Sequence, residues 1–172
     1  MKLYDKKVYQ ISLISNNQLL VILSGKERTI RIKSLERFLD YSESSFDSKI
    51  SEKKNINLFT VHPITLTLCF AIKNRIFIYK IHANPQPYPY TYITELNTNQ
   101  HITYLDVSLM KINNINEQIL CFGYSNTVLA IGIDQQSSSV SLLRDKDLAV
   151  QIAREQSNEI LRVIPITGKQ FD

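Results

Sequence analysis

The sequence predicts an all-β protein assembled from repeated hairpins. Three observations carry that expectation: many short apolar runs rich in Ile, Val, Phe and Tyr, weak helical periodicity, and one hairpin pattern that recurs along the chain. Runs of about five to eight such residues favour the pleated, half-buried geometry of a strand. In chain order the predicted strands are Lys7 to Ile14, Leu19 to Ser24, Thr29 to Lys33 and Ile56 to Val61. They continue with Thr67 to Ile72, Ile76 to His82, Tyr90 to Leu96, Gln118 to Tyr124, Val128 to Ile133 and Glu159 to Ile166. Alternation is cleanest at Thr29-Ile30-Arg31-Ile32-Lys33, where Ile30 and Ile32 should face a core while Arg31 and Lys33 face water. Ser34 to Asp40 allows one helical turn capped by Ser34. Lys146 to Arg154 spaces Leu148 and Ile152 as a helix would, and a strand fits there equally.

The connectors support the same class. Asn16-Asn17, Lys73-Asn74-Arg75 and Ser125-Asn126 each separate two apolar runs and read as tight hairpin turns. The chain has only four glycines. Asparagine tolerates left-handed backbone, so these asparagines are expected to take the turn positions that glycine usually fills. Residues 41–55 form a polar loop with five serines, and Lys111 to Glu117 reads as a second polar loop. Asn84 to Tyr90, with Pro85, Pro87 and Pro89, should be stiff and extended.

Composition narrows the functional classes. With 172 residues, 44% hydrophobic and 21% charged, the chain has the make-up of a folded globular protein. No apolar run approaches the roughly 20 residues that span a bilayer. The start, Met1 to Lys7, shows no hydrophobic signal region, two cysteines make no disulfide framework, and no Asn-x-Ser/Thr sequon occurs. A cytoplasmic location is expected, with any attachment to membrane or cytoskeleton made through partners. Lys and Arg total 20 against 16 Asp and Glu. That surplus does not imply nucleic acid unless it is concentrated on one face.

Two hairpins superimpose without gaps. Leu68 to Ile81 matches Leu120 to Ile133, including Leu-Cys-Phe at the start and an Asn in each turn, at an offset of 52. A third copy, Leu19 to Ser24 followed by Thr29 to Ile32, lies 48 residues upstream with a turn about two residues longer. The hairpin repeats are therefore 8–33, 66–82 and 118–133. A hairpin recurring every 40 to 50 residues or so has the spacing of propeller blades, each a four-stranded sheet. At that spacing the chain supplies about three to four blades, fewer than most propellers need for closure. The expected architecture is a partial β-propeller, with 41–55 as an inter-blade loop. An open propeller exposes strand edges, so the isolated chain is expected to fold poorly alone.

The same residues resemble a known family. Lys7-Val8-Tyr9-Gln10-Ile11, then Gln18 to Arg28 with Gly25-Lys26, then Ile30-Arg31-Ile32 and Leu35, are similar to the opening of a citron homology (CNH) domain. Lys49 to Lys54, Leu68 to Asn74 with Ile76 to Tyr79, Leu120 to Tyr124, Asp145 to Gln151 and Glu159 to Pro165 resemble later blocks of that family, in order. Asn55-Ile56 stand where the family usually has glycine, and Thr127 where a glycine is expected after the third turn. Asparagine can hold the same turn at Asn55. The resemblance implies a seven-bladed propeller, present here as a partial copy, acting as a non-catalytic protein–protein interaction module. Such domains belong to larger signalling proteins: citron-like and myotonic-dystrophy-related kinases, Ste20-type kinases and Rho guanine-nucleotide exchange factors. The implied partners are small GTPases of the Rho or Rap type, cytoskeletal regulators and the rest of the parent chain. A vesicle-tethering subunit with the same domain, or less readily a catalytic propeller, are the alternatives. The resemblance carries no catalytic residue and no cofactor, and any kinase domain of the parent would lie outside this chain.

His62, His82 and His101 have no ligand at metal-site spacing. Cys69 and Cys121, at matched positions in apolar strands, read as small core residues. Four glycines build no nucleophile elbow, Walker loop or dinucleotide fingerprint. Asp145 and Asp147 read as a solvated cap. Tyr79, Tyr88, Tyr90 and Tyr92 have the chemistry to stack bases, but their place around the Pro-rich loop suits packing between blades, and no nucleic acid is expected. The one candidate interface is cationic. Lys26, Arg28 and Arg31 sit close together on the first hairpin and are the expected contact with an acidic partner.

Overall fold

The alternation over Thr29 to Lys33 is realised as expected. Ile30 and Ile32 are fully buried, while Arg31 and Lys33 point to the opposite, half-open face. In the computed structural model, described over residues 6–35, 47–82, 89–112, 115–124, 127–134, 139–142, 149–154 and 160–166, this pattern builds an all-β architecture. The first sheet has the order β1 (Val8–Ile14), β2 (Leu19–Ser24), β3 (Thr29–Ser34), β4 (Asp47–Lys49). The second is β5 (Leu58–Val61), β6 (Thr67–Ile72), β7 (Arg75–Ile81), β8 (Tyr90–Asn97). The third is β9 (Tyr104–Ile112), β10 (Ile115–Tyr124), β11 (Thr127–Asp134), β12 (Ser139–Leu142). Each is an antiparallel meander. A hairpin of β13 (Ala149–Arg154) and β14 (Ile160–Ile166) follows. Three four-stranded blades and part of a fourth make a partial β-propeller.

The repeat read from the sequence is a repeat of register. Leu68 pairs with Tyr79 and Ile72 with Arg75; Leu120 pairs with Ile131 and Tyr124 with Thr127, each residue 52 positions on. In the first blade Ser24 pairs with Thr29, which leaves four residues in the turn where the second blade has two.

Neighbouring blades pack face to face. The first interface buries Leu19, Val21, Leu23, Ile30, Ile32 and Ile50 from one side against Phe59, Leu68, Phe70, Phe77 and Tyr79 from the other. The second sets Cys69, Ala71, Ile76 and Ile78 against Leu105, Val107, Leu120, Phe122, Ile131 and Ile133. Successive residues of β6 thus alternate between two cores, which is why its sequence reads as an unbroken apolar run. The first strands of the blades adjoin one another, β1 beside β5 and β5 beside β9. β14 lies against β9 and β10 as β9 lies against β5 and β6, so it holds the innermost place of the fourth sheet.

Several expectations need correction. Within the supposed loop from Lys111 to Glu117, the described residues are strand: Ile112 is paired to Ile115, Lys111 to Asn116 and Met110 to Glu117. β4 falls inside 41–55, where the sequence suggested only loop. β9 and β12 were not anticipated as strands. Ser34 ends a strand, the rest of the turn suggested to Asp40 lies largely outside the described residues, and Ala149 to Arg154 is extended. The turns also use other residues than expected. Left-handed backbone is held by Gln18, Arg28, Leu66 and Lys73 as well as by Asn55 and Gly25. Asn16 and Asn17 form a 3-10 turn, and Gln18 after them takes the left-handed position. Asn55 does hold positive φ, as its place in the family pattern suggested.

Candidate functional site

The four-residue turn between β2 and β3 is the feature that sets the first blade apart. Gly25, at φ +81, is the glycine this turn requires, because an L side chain rarely adopts that backbone. The Arg28 N–H closes the turn onto the Gly25 carbonyl at 3.0 Å. Backbone bonds brace it from both sides: Gly25 N–H donates to Lys7 O at 2.9 Å, and Asn55 N–H donates to Glu27 O at 2.7 Å. The turn is therefore held rigidly between the start of β1 and the segment that leads to β5.

Side chains around it are predominantly cationic. Lys26 projects into solvent from the tip. Arg31, on β3, pairs in register with Ile22 on one side and Lys49 of β4 on the other, which fixes all three on the face turned away from the second blade. Beneath the turn lies a cavity of about 650 Å³. Lys6, Lys7, Lys26, Arg31 and Lys49 line it, with Glu27 as the one carboxylate among the described lining residues and Tyr9 as its aromatic wall. Glu27 is bridged by Lys54 at 2.7 Å and Lys49 at 3.7 Å. The Lys54 hydrogen bond, helped by the charges of both lysines, holds its carboxyl below the usual range.

The structure thus brings Lys26 and Arg31 to one cavity and separates Arg28 from it. The Arg28 guanidinium lies over the Tyr9 ring, 4.4 Å from its centroid, with Lys7 at 5.0 Å. Its Nε is buried and has no hydrogen-bond partner among the described residues. Arg28 supports the wall. Lys6, Lys7, Tyr9 and Lys49 are members of the site that the sequence reading missed. The Lys6-Lys7 pair beside a strand start was a visible signal, whereas Lys49 arrives only through strand pairing.

The other residues singled out in the sequence do not converge. His62 Nδ1 accepts from the Thr65 N–H at 3.1 Å, His101 meets Asn57 at 3.2 Å and His82 meets Thr91 at 2.7 Å. No group of three metal-ligating side chains occurs among the described residues. Cys69 and Cys121 are buried; burial pushes both thiols up, that of Cys121 to about 12, so neither is a ready nucleophile. Tyr79 stacks on Phe70 and meets Tyr90 and Tyr92 edge-on, a packing cluster between blades. Asp145, Asp147 and Tyr88 lie outside the described residues. No helix among the described residues is long and apolar enough to cross a membrane.

Comparison with known proteins agrees with this architecture. The serine/threonine-protein kinase MRCK alpha of Homo sapiens is 24% identical over 171 residues, covering 97% of this chain and 9% of the kinase. MRCK alpha of Rattus norvegicus is 21% identical over 174 residues, and MRCK beta of Mus musculus 24% over 170, again across 9% of each kinase. The chain therefore spans less than a tenth of the relatives it matches. The family model of the CNH domain matches residues 1–171, and the chain, with its repeated four-stranded sheets, belongs to the CNH domain family.

Proposed function

We propose that this chain docks small GTPases of the Rho or Rap type, or a cytoskeletal regulator, on behalf of a larger signalling protein such as a kinase. The domain itself is non-catalytic; phosphoryl transfer, if the parent performs it, resides elsewhere in that parent. The observation that carries the docking reading is the braced β2–β3 turn, which presents Lys26 at its tip and Arg31 beside it on a rigid sheet. Fixed cations of this kind suit an acidic protein surface, steering encounter and fixing orientation. Arg28 contributes by stiffening Tyr9 beneath them. Its placement in a cytoplasmic signalling protein follows from the same reading.

Pull-down against GTP-loaded and GDP-loaded Rho and Rap proteins tests it. Retention of a GTP-loaded form, lost when Lys26→Glu and Arg31→Glu are combined, is the expected result. Charge reversal should weaken binding by several kcal/mol through like-charge contact. If no loaded GTPase is retained, the GTPase proposal falls while the fold assignment stands.

A further inference from the structure

The β2–β3 turn of the first blade is one part of a larger rigid end. The segment 50–57, between β4 and β5, is hydrogen-bonded to both of the blades it joins. Ile50 N–H donates to Ile30 O at 3.0 Å, Asn55 N–H to Glu27 O at 2.7 Å and Ile56 N–H to Arg28 O at 3.0 Å. Asn57 then crosses to the second blade: its N–H donates to Ala71 O at 2.8 Å, and its Oδ1 accepts from the Lys73 N–H at 3.0 Å. The Lys73 carbonyl in turn accepts from the Ile102 N–H at 2.9 Å, and Asn57 Nδ2 meets His101 Nε2 at 3.2 Å. A continuous run of hydrogen bonds thereby ties the β2–β3 turn to the β6–β7 turn.

Backbone strain is concentrated at this end. Of the five described residues other than glycine with positive φ, Arg28, Asn55 and Lys73 lie in these two turns and the segment between them. Asparagine suits such backbone, whereas arginine and lysine do not. In the β6–β7 turn Asn74 stands one place from the strained position, which Lys73 holds at φ 56. A long cationic side chain kept on costly backbone points to a use for that side chain. Arg28 has one, as the support of Tyr9. The hydrogen bonds described for Lys73 are all made by its backbone, and its side chain is exposed. Lys73 therefore repeats on the second blade what Lys26 does on the first: each is an exposed ammonium on a braced turn between the second and third strands. We propose that the β6–β7 turn is the second half of the docking surface, and that Lys73 contacts the same acidic partner as Lys26. This rests on the docking reading above and extends its footprint across the first two blades. Two cations fixed on one rigid platform set a partner's orientation, which a single turn leaves open.

Binding of the full chain to GTP-loaded Rho and Rap proteins, followed by surface plasmon resonance, tests the extension. Lys73→Asn removes the charge and puts into the turn a residue that accepts positive φ. Its binding should weaken about threefold to fivefold, the scale of one exposed ion pair. Its urea midpoint should stay level or rise, because strain is relieved. Lys73→Arg keeps the charge and the strain, so it should bind within about twofold of the native chain. A residue of merely structural value would not lose binding while stability is kept. If Lys26→Glu with Arg31→Glu abolishes binding and Lys73→Asn leaves it unchanged, the extension is overturned and the docking reading stands. Equal loss in Lys73→Asn and Lys73→Arg, or loss together with a lower urea midpoint, assigns Lys73 a structural role and overturns the extension too. Binding to none of the loaded GTPases overturns both.

Discussion

Gln10 should be the polar clasp between the first two blades. β5 is the first strand of its sheet and pairs with β6 along one edge only. Backbone groups on its other edge need a partner. Gln10, on β1, supplies both halves: the Phe59 N–H donates to Gln10 Oε1 at 3.0 Å, and Gln10 Nε2 donates to Phe59 O at 2.6 Å. The side-chain amide thus substitutes for a neighbouring strand. Gln10→Ala removes two hydrogen bonds at a half-buried site where water recovers part of the loss. Together they contribute about 1–3 kcal/mol. Exchange of the Phe59 amide, followed by NMR, should accelerate by about 5- to 150-fold. The Asn57 amide, which donates across the blade to Ala71 O at 2.8 Å, serves as internal control and should change far less.

Gln10→Glu sharpens the test, because a carboxylate accepts from Phe59 N–H but meets Phe59 O with no proton to donate. Only the protonated acid reproduces both bonds, so the folded-state pKa of the introduced group is raised. Its stabilisation is fully present below the unfolded value of about 4.3 and is lost as pH rises through the higher folded value. The Glu variant should match the native chain at low pH and approach the Ala variant at neutral pH. Unchanged Phe59 exchange in Gln10→Ala, or pH-independent exchange in Gln10→Glu, would refute the clasp.

Two further outcomes follow from buried geometry. His62 is 8% exposed and its Nδ1 accepts from both the Thr65 N–H and the Thr65 hydroxyl, so the neutral ring is the one that fits. Burial lowers its pKa, opposed by the charge of Asp106; stability should therefore be complete above the unfolded value near 6.5 and fall as pH drops below it, a slope that His62→Gln should flatten in urea titrations. Lys73 holds φ 56 in the turn between β6 and β7, and glycine meets no steric penalty there. Lys73→Gly should raise the urea midpoint, by about 0.5–1 kcal/mol of stability; a lower midpoint would contradict the strain.

What the sequence made legible were the strands that serve two cores or one core cleanly. β2 and β6 are nearly continuous apolar runs, as is the 119–124 part of β10, and β3 alternates, so their existence and pairing could be read directly. β9 was equally legible in its Leu105-Val107-Leu109 alternation, with Leu105 and Val107 buried, and was overlooked beside the polar tip that follows it. β4 and β12 are different. Asp47–Lys49 and Ser139–Leu142 are short outermost strands, and their pairing depends on β3 and β11 instead of on any pattern of their own. For the same reason Lys49 could not be assigned to the candidate site, since register alone brings it beside Arg31. The turn chemistry was misread because tertiary contacts fix it: Lys73 is locked by its N–H to Asn57 Oδ1 at 3.0 Å and its carbonyl to Ile102 N–H at 2.9 Å. Held from two sides, a residue with an ordinary side chain can occupy backbone that glycine or asparagine would enter more easily.

The place where the repeat is broken is also where the candidate site lies. Blades two and three share one register and one turn length, with two residues between Ile72 and Arg75 and two between Tyr124 and Thr127. The first blade keeps the register and lengthens the turn to Gly25-Lys26-Glu27-Arg28. Those added residues bring Lys26 over the sheet face, place Glu27 between Lys49 and Lys54, and set Arg28 on Tyr9. The repeated positions answer the demand common to every blade, burial of two faces, and so they specify the fold. A departure in length escapes that demand, and in this chain it carries the cations. Sequence self-similarity therefore identifies the scaffold, and its one interruption within the first hairpin identifies the surface that the scaffold holds out.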